Sequence, residues 1–267
     1  MVNPFLDVIN QILPEPQASL LSGILFGVKT ALPKDLYQAL ITTGTIHITA
    51  LSGQNISILT RIVSECTLPL GRKISIWITV ATICLFIWFV GFEPTIIRAA
   101  IMGSLALFAV YFGRKNWSLL TLILAAVIML LMNWSWITSV SFQLSFFATL
   151  GIILFSAKSS AMPTKTLKDE IKRELKLNLR TTLSAQVFTL PLIFYYFHQI
   201  SFIAPITNTL IGSFIAPIMT LGLLAALVGR LFLPLGVMLG WLVWVPLTIV
   251  IQLVQITAQI PFASIAF

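Results

Sequence analysis

The chain has 267 residues, of which 58% are hydrophobic and only 9% are charged. Ordinary soluble domains carry roughly 25% charged residues, so this composition excludes a soluble globular protein. The formal net charge is +8, and in a membrane protein an excess of Lys and Arg first reflects the basic loops that remain in the cytoplasm. The composition therefore indicates a multi-pass membrane protein.

The amino-terminal part of the chain contains apolar stretches that are too short to cross a bilayer. Residues 17–27 place their leucine and isoleucine side chains on one face of a helix. Leu32 and Pro33 then mark the start of a second short helix. These patterns predict that residues 1–44 form an outer-face segment with short amphipathic helices along the membrane surface.

Eight candidate membrane segments follow, each bounded by charged residues, Gly, Pro or Trp. They lie at residues 45–63, 74–92, 95–112, 117–134, 137–157, 180–197, 206–229 and 236–258. Each is close to the length of about 20 residues that a helix needs to span hydrocarbon. The sequence therefore predicts an all-α, polytopic transmembrane helix bundle at residues 45–258, followed by a short outer tail at residues 259–267.

The Lys and Arg residues of the connections alternate from one loop to the next. The connections that contain them are residues 64–73, 113–116, 158–180 and 230–234, and those that contain none are residues 93–94, 135–136, 198–205 and 259–267. Basic loops remain in the cytoplasm, so this alternation places both termini outside the cell. We expect a multi-pass protein of the inner (plasma) membrane in this orientation.

One connection is long enough to form an element of its own. Residues 164–180 repeat leucine or isoleucine every four residues beside a second row of basic residues, namely Lys168, Lys172, Lys176 and Arg180. This pattern predicts a basic amphipathic helix on the inner face. Such a helix either anchors the chain on anionic lipid headgroups or contacts a nucleic acid or a motor subunit.

Polar residues inside predicted membrane segments are costly unless they are paired or line a wet cavity, so they mark candidate sites. The first segment is apolar but is interrupted by a polar cluster that contains His47, Ser52, Gly53, Gln54 and Asn55. An interruption at this depth predicts a broken or re-entrant segment that exposes backbone groups to water or to protein. The cluster fits either a conduit element or a helix-packing interface rich in small residues.

Two further polar clusters lie in later segments. Arg98, near Glu93, could extend to the outer interface, pair with that glutamate, or supply a cation at the mouth of a pore. The last cluster contains Gln143, Ser145 and Asn208. Amides in membrane segments often bond neighbouring helices, so each of these residues alone is weak support for a site.

The sequence lacks the patterns that would support catalysis. It has no Walker-type phosphate loop, and its two histidines lie in separate segments without the spacing of metal ligands. We therefore expect a protein that is not an enzyme and that uses no cofactor. Movement of a large substrate would then depend on an ATP-driven partner inside the cell.

Several short motifs occur in a specific order along the chain. The most specific is His-x-x-x-x-Ser-Gly, formed by His47, Ser52 and Gly53, and weaker motifs lie at residues 22–27, 32–33, 98–102, 141–146, 196–201 and 208. In this order they resemble the membrane domain of ComEC-type competence proteins, over about residues 14 to 258. Members of that family often carry Leu-His after the Ser-Gly pair, whereas this chain has Gln54 and Asn55.

The resemblance implies an inner-membrane channel through which single-stranded DNA reaches the cytoplasm during natural transformation. It also implies separate outer components for DNA binding and nuclease activity, with the conduit either inside one chain or between protomers of a homo-oligomer. Two alternatives remain open from the residues themselves. The first is a secondary transporter of a small solute, and the second is a non-conducting membrane scaffold for DNA-uptake partners.

Overall fold

The computed structural model describes residues 4–28, 32–51, 53–115, 117–156, 167–261 and 263–266. Eleven α-helices lie within these ranges: α1 Pro4–Ile12, α2 Gln17–Phe26, α3 Lys34–Thr42, α4 Gly53–Thr67, α5 Arg72–Val90, α6 Pro94–Tyr111, α7 Ser118–Met132, α8 Val140–Phe155, α9 Leu167–Phe197, α10 Ala204–Leu231 and α11 Leu233–Ala258. Three short 3₁₀ helices (Ile46–Thr49, Leu68–Leu70 and Trp134–Thr138) and one antiparallel strand pair, β1 Gln199–Ser201 with β2 Ser264–Ala266, complete the described elements. The predicted all-α class is confirmed.

Among the described residues, four helices are long and apolar enough to cross a membrane. They are α5, α6, α10 and α11, which correspond to the predicted segments at residues 74–92, 95–112, 206–229 and 236–258. Large apolar side chains such as Trp88, Leu131 and Leu231 are exposed on the outside of the molecule, as expected for surfaces that contact lipid. These features support a multi-pass membrane protein.

Eight full crossings are not confirmed, because the remaining apolar helices are too short. Helices α7 and α8 have 15 and 16 residues, which at 1.5 Å per residue is well below the roughly 30 Å of a hydrocarbon core. The predicted segment at residues 117–134 extends beyond the end of α7 at Met132. The chain leaves the helix at Asn133, whose side chain accepts a hydrogen bond from the Ser135 N–H at 3.1 Å.

The prediction of a separate inner-face helix next to a sixth crossing is corrected by α9. This helix runs without interruption from Leu167 to Phe197 over 31 residues, so the basic segment and the predicted crossing at residues 180–197 form one element. The sequence offers no Gly or Pro before Pro191 that would break the helix. Residues 164–166 of the predicted element lie outside the described residues.

The first predicted segment, at residues 45–63, is broken as expected. A 3₁₀ helix covers Ile46–Thr49, and Ala50 then takes an extended conformation with φ −98° and ψ 144°. Helix α4 begins only at Gly53 and continues to Thr67. The polar cluster of the sequence therefore lies where one helical element ends and the next begins.

The chain forms two compact units. Unit 1 comprises Met1–Leu51, Lys158–Leu183 and Ile193–Phe267, and unit 2 comprises Ser52–Ala157 and Ser184–Leu192. In unit 1, α10 and α11 form a hairpin that brings the backbones of Gly229 and Gly236 together without room for a Cβ. Helices α1 and α2 pack on this hairpin at two glycines of α10. Gly222 contacts the side chain of Leu21 on α2, and Gly229 contacts the side chain of Val8 on α1.

Unit 2 consists of α4 to α8 with a short part of α9. Its apolar core contains Ile97, Met129 and Phe142 from α6, α7 and α8. Helix α8 meets α9 at Gly151, where a Cβ would collide with the backbone carbonyl of Ser184. Ile97, the neighbour of Arg98 on α6, belongs to the same apolar core.

Candidate substrate path and its buried arginine

Arg98 lies in the second turn of α6 and is only 9% exposed. Its Nε is buried without a hydrogen-bond partner. Arg61 pairs with Glu65 in the same unit, whereas Arg98 has no carboxylate partner among the described residues. Glu93, the partner considered from the sequence, is exposed at the helix start, and the arginine does not pair with it.

The guanidinium of Arg98 lies against the first residue of α4. A Cβ placed on Gly53 would be 3.0 Å from Nη2 of Arg98 and 3.3 Å from Cβ of Ala99. A glycine at the start of α4 therefore lets the helix approach α6 closely at the level of the arginine. Two predicted site residues that are 45 positions apart in the sequence are brought together in this way.

Helices α4 and α6 run in the same direction. Gly53 faces Ala99, and one turn further along both helices Ile56 faces Gly103, with its Cγ2 4.0 Å from the Cβ position of that glycine. The contacts advance together along both chains, as expected for the first and third members of an α4–α5–α6 series of antiparallel neighbours. The amino-terminal ends of both helices therefore lie at the same end of unit 2.

The other residues of the polar cluster occupy the first turn of α4. Asn55 is buried and Gln54 is exposed, so the turn has one amide directed into the unit and one at its surface. Ser57 donates a hydrogen bond from Oγ to the Gly53 carbonyl at 3.0 Å. Ser52 lies outside the described residues.

The residues predicted on α8 also belong to unit 2. The Nε2 of Gln143 donates a hydrogen bond to the Ile137 carbonyl at 2.9 Å, which ties the start of α8 to the preceding 3₁₀ helix. Ser145 is half-buried, and its carbonyl accepts a hydrogen bond from Thr149 Oγ1 at 3.0 Å. Both residues thus take part in the local structure of the helix start.

His47 and Asn208 belong to unit 1. The His47 ring is exposed, and its Nδ1 donates to the Gly44 carbonyl at 3.2 Å. Asn208 lies on α10 and is half-buried, and its Oδ1 is buried without a hydrogen-bond partner. The predicted path residues are therefore divided between the two units.

The basic row of α9 is exposed along its whole length. All four predicted residues are exposed, namely Lys168, Lys172, Lys176 and Arg180. Ile171 and Leu179 of the neighbouring apolar row are also exposed. This part of the helix thus presents a charged row and an apolar row side by side.

Two partly buried polar contacts in unit 1 were not predicted from the sequence. Gln17 is buried in α2, and its Nε2 donates to Thr248 Oγ1 at 2.9 Å while its Oε1 has no partner. Asn178 donates to Ser213 Oγ at 3.1 Å. Gln17 could have been recognised, because it is a polar residue at the start of an otherwise apolar run. Asn178 could not, because it lies among charged residues in the sequence.

No group of three or more His, Cys, Asp or Glu side chains that could hold a metal ion occurs in the described part of the chain. Unit 2 instead has positive electrostatic potential around Arg98. A buried arginine and the amino-terminal ends of two helices lie close together, and both kinds of group attract anions.

The comparisons with known proteins agree with the order of the sequence motifs. The family model described as "Competence protein" matches residues 24–267. The chain is 27% identical over 235 residues to ComE operon protein 3 of Bacillus subtilis (strain 168), an alignment that covers 84% of this chain and 29% of that protein. The chain thus spans less than a third of the length of this relative, and no solved structure matches it. The chain belongs to the competence protein family.

Proposed function

We propose that this chain forms the membrane conduit through which single-stranded DNA reaches the cytoplasm during natural transformation. The observation that carries the proposal is Arg98, a buried cation in a helix long and apolar enough to cross a membrane, with no carboxylate partner among the described residues. A cation in such a place is costly and marks a substrate or ion pathway. Membership of the competence protein family supports DNA as the anionic substrate.

The broken first segment supports a conduit. A strand of DNA carries a charge on every phosphate, so it needs a wet route with polar groups and weak cationic contacts that let it move on. Backbone that is not helical at membrane depth is tolerated only against protein or water. The chain is extended at Ala50, after the 3₁₀ helix, and Gly53, the first residue of α4, lies against the arginine.

We assign the path to the polar residues that the sequence predicts. They are His47, Ser52, Gly53, Gln54, Asn55, Arg98, Gln143, Ser145 and Asn208. We take the orientation that the alternation of basic loops predicts, with both termini outside. In that orientation the amino-terminal ends of α4 and α6 face the side from which DNA arrives, and the basic row of α9 faces the cytoplasm.

The proposal requires partners. Outer components would bind DNA and degrade one strand, and an ATP-driven translocase inside the cell would supply the force. The conduit lies either within one chain or between protomers of a homo-oligomer. The chain itself acts without catalysis or a cofactor.

The test measures labelled DNA that becomes protected from external nuclease, in cells with and without the gene, with surface-bound DNA measured separately. We expect the deletion to abolish protected DNA while surface binding is retained. The Arg98→Gln variant should lower protected DNA at equal membrane abundance, whereas Arg61→Gln should not, because Arg61 is exposed and paired with Glu65.

Unchanged internalisation in the deletion strain would refute the conduit, and ion-coupled uptake of a small solute would then identify a secondary transporter. A scaffold would give a different pattern. Internalisation would depend on the presence of the chain and on the basic row of α9, but it would not change when Arg98 or Asn55 is replaced.

A further inference from the structure

We infer that Arg98 and the first turn of α4 form a binding site for a single phosphate-type oxyanion. The inference rests on the proposed function for the source of the ligand, a phosphodiester of the incoming strand, but the site itself is argued from geometry alone. The same chemistry would accept the phosphate of a lipid headgroup or inorganic phosphate, and the experiment below separates these sources.

The arginine lacks a counter-charge. Its side chain is more than nine-tenths buried, and its Nε has no partner. The described part of the chain places no carboxylate within ion-pair distance of it. Buried cations in proteins are normally paired, since an unpaired charge away from water is strongly destabilising. An anion bound beside Arg98 would supply the missing partner.

The guanidinium also lies beside a second positive group, the amino-terminal end of α4. Nη2 of Arg98 lies against the start of α4, 3.0 Å from the Cβ position of Gly53. The first turn of an α-helix carries backbone N–H groups without intrahelical acceptors, and its end bears a partial positive charge. A cation placed there is repelled by the helix end. An oxyanion that contacts both the helix end and the guanidinium turns this repulsion into two attractions.

A second helix end adds to the field. Helix α6 runs parallel to α4, and its amino-terminal end at Pro94 lies at the same end of the unit. The helices have 15 and 18 residues, and each carries a partial positive charge at its amino-terminal end, which at α6 is partly offset by the exposed carboxylate of its cap residue Glu93. Helix amino termini combined with a basic side chain are a common arrangement for binding phosphate.

Gly53 determines whether the site can form. Any side chain at this position would displace the guanidinium from the helix end, since its Cβ would be 3.0 Å from Nη2 of Arg98 and 3.3 Å from Cβ of Ala99. Gly53 is half-buried and its neighbour Gln54 is exposed, so the site is reached from the surface of the unit. The guanidinium offers a planar fork of donors that matches two oxygens of a tetrahedral anion.

The test uses the full chain purified in a phosphate-free detergent. Three probes are compared: inorganic phosphate, a fluorescent twelve-residue oligothymidylate, and nanodiscs that contain anionic phosphatidylglycerol. Phosphate binding is measured as the rise in the temperature of unfolding with phosphate over that with equal chloride. Oligonucleotide binding is measured by anisotropy over a series of salt concentrations.

Three variants are compared with the wild type. Arg98→Gln removes the charge, Gly53→Ala retains it but displaces the guanidinium, and Arg61→Gln removes an exposed arginine of the same unit as the matched control. We expect phosphate to stabilise the wild type and Arg61→Gln but neither of the other two. For the oligonucleotide, Arg98→Gln should lower the slope of log K against log salt by about 0.7, the contribution of one phosphate contact on a single strand.

The results separate the site from the function. Phosphate and oligonucleotide binding by Arg98→Gln and Gly53→Ala equal to the wild type would overturn the site, even if DNA uptake in cells still depends on the gene. Loss of phosphate stabilisation together with an unchanged oligonucleotide slope, and competition by phosphatidylglycerol, would support the site and identify its ligand as lipid. If Arg98→Gln does not fold, Gly53→Ala gives the answer with the charge retained.

Discussion

The contact between α8 and α9 predicts a large difference between two glycine replacements in unit 2. A Cβ on Gly151 would collide with the backbone carbonyl oxygen of Ser184 and would lie 3.2 Å from the carbonyl carbon. A Cβ on Gly103, also in the middle of a helix, would have its nearest neighbour at 4.0 Å. Gly151→Ala should therefore destabilise the protein, and Gly103→Ala should not.

The size of the effect follows from the distance that must be opened. A carbon normally approaches a carbonyl oxygen no closer than about 3.3 Å, so α8 and α9 must separate by roughly 1 Å, a gap that forfeits up to half of the dispersion energy of the atoms involved. The tilted ring of Phe188, whose centroid is 6.3 and 5.9 Å from those of Phe147 and Phe155, would lose contact as well. Overpacking of this kind costs about 1–3 kcal/mol.

The comparison of the two variants isolates this cost. Replacement of glycine by alanine in a helix interior gains about 1 kcal/mol of helix propensity, and this gain is shared by both variants. The difference in their free energies of unfolding should therefore be about 1–3 kcal/mol, with Gly151→Ala the less stable.

The measurement is reversible unfolding in mixed micelles, with the fraction of dodecyl sulfate raised in steps and helix content followed by circular dichroism. Near-native spectra of both variants before unfolding serve as the control. Equal free energies of unfolding for Gly151→Ala and Gly103→Ala would show that α8 and α9 do not meet at Gly151 in the way that the structure describes.

Three further predictions concern polar groups. Thr248→Val should cost about 0.5–1.5 kcal/mol in the wild type, but less in a Gln17→Leu background, because the hydrogen bond between these residues is then already lost; a double-mutant cycle measures the difference. Asn208→Leu should lower protected DNA in cells without reducing the free energy of unfolding, since the Oδ1 of Asn208 has no partner to lose. Replacement of the four basic residues of α9 by Gln should lower DNA internalisation at unchanged membrane abundance, because all four are exposed: Lys168, Lys172, Lys176 and Arg180.

The helical class and the break in the first segment could be predicted because both depend on local sequence. A long apolar run is enough to indicate a membrane helix, and Gly53 with its polar neighbours is enough to indicate an interruption. The lengths of α7 and α8 were overestimated because an apolar count includes caps and 3₁₀ turns, such as that at Asn133.

The surroundings of Arg98 could not be predicted, because they depend on residues far apart in the chain. Glu93, the nearest carboxylate in sequence, was the natural partner to consider. Glu93 and Arg98 are five positions apart. Since each residue turns the helix by about 100°, the two side chains point about 140° apart around the helix axis. The group that does face the guanidinium is Gly53, which reaches it only because α5 returns the chain and leaves α4 parallel to α6.

The continuity of α9 bears on the two interpretations of its basic row. A helix of 31 residues is about 46 Å long at 1.5 Å per residue, well over the roughly 30 Å of a hydrocarbon core. If residues 180–197 cross the membrane, the basic segment continues in the same direction and projects from the surface. A helix that lies on lipid headgroups would need a bend near Arg180, and no Gly or Pro there provides one. The projecting geometry favours contact of the basic row with a polyanion or a protein partner over anchoring along the bilayer.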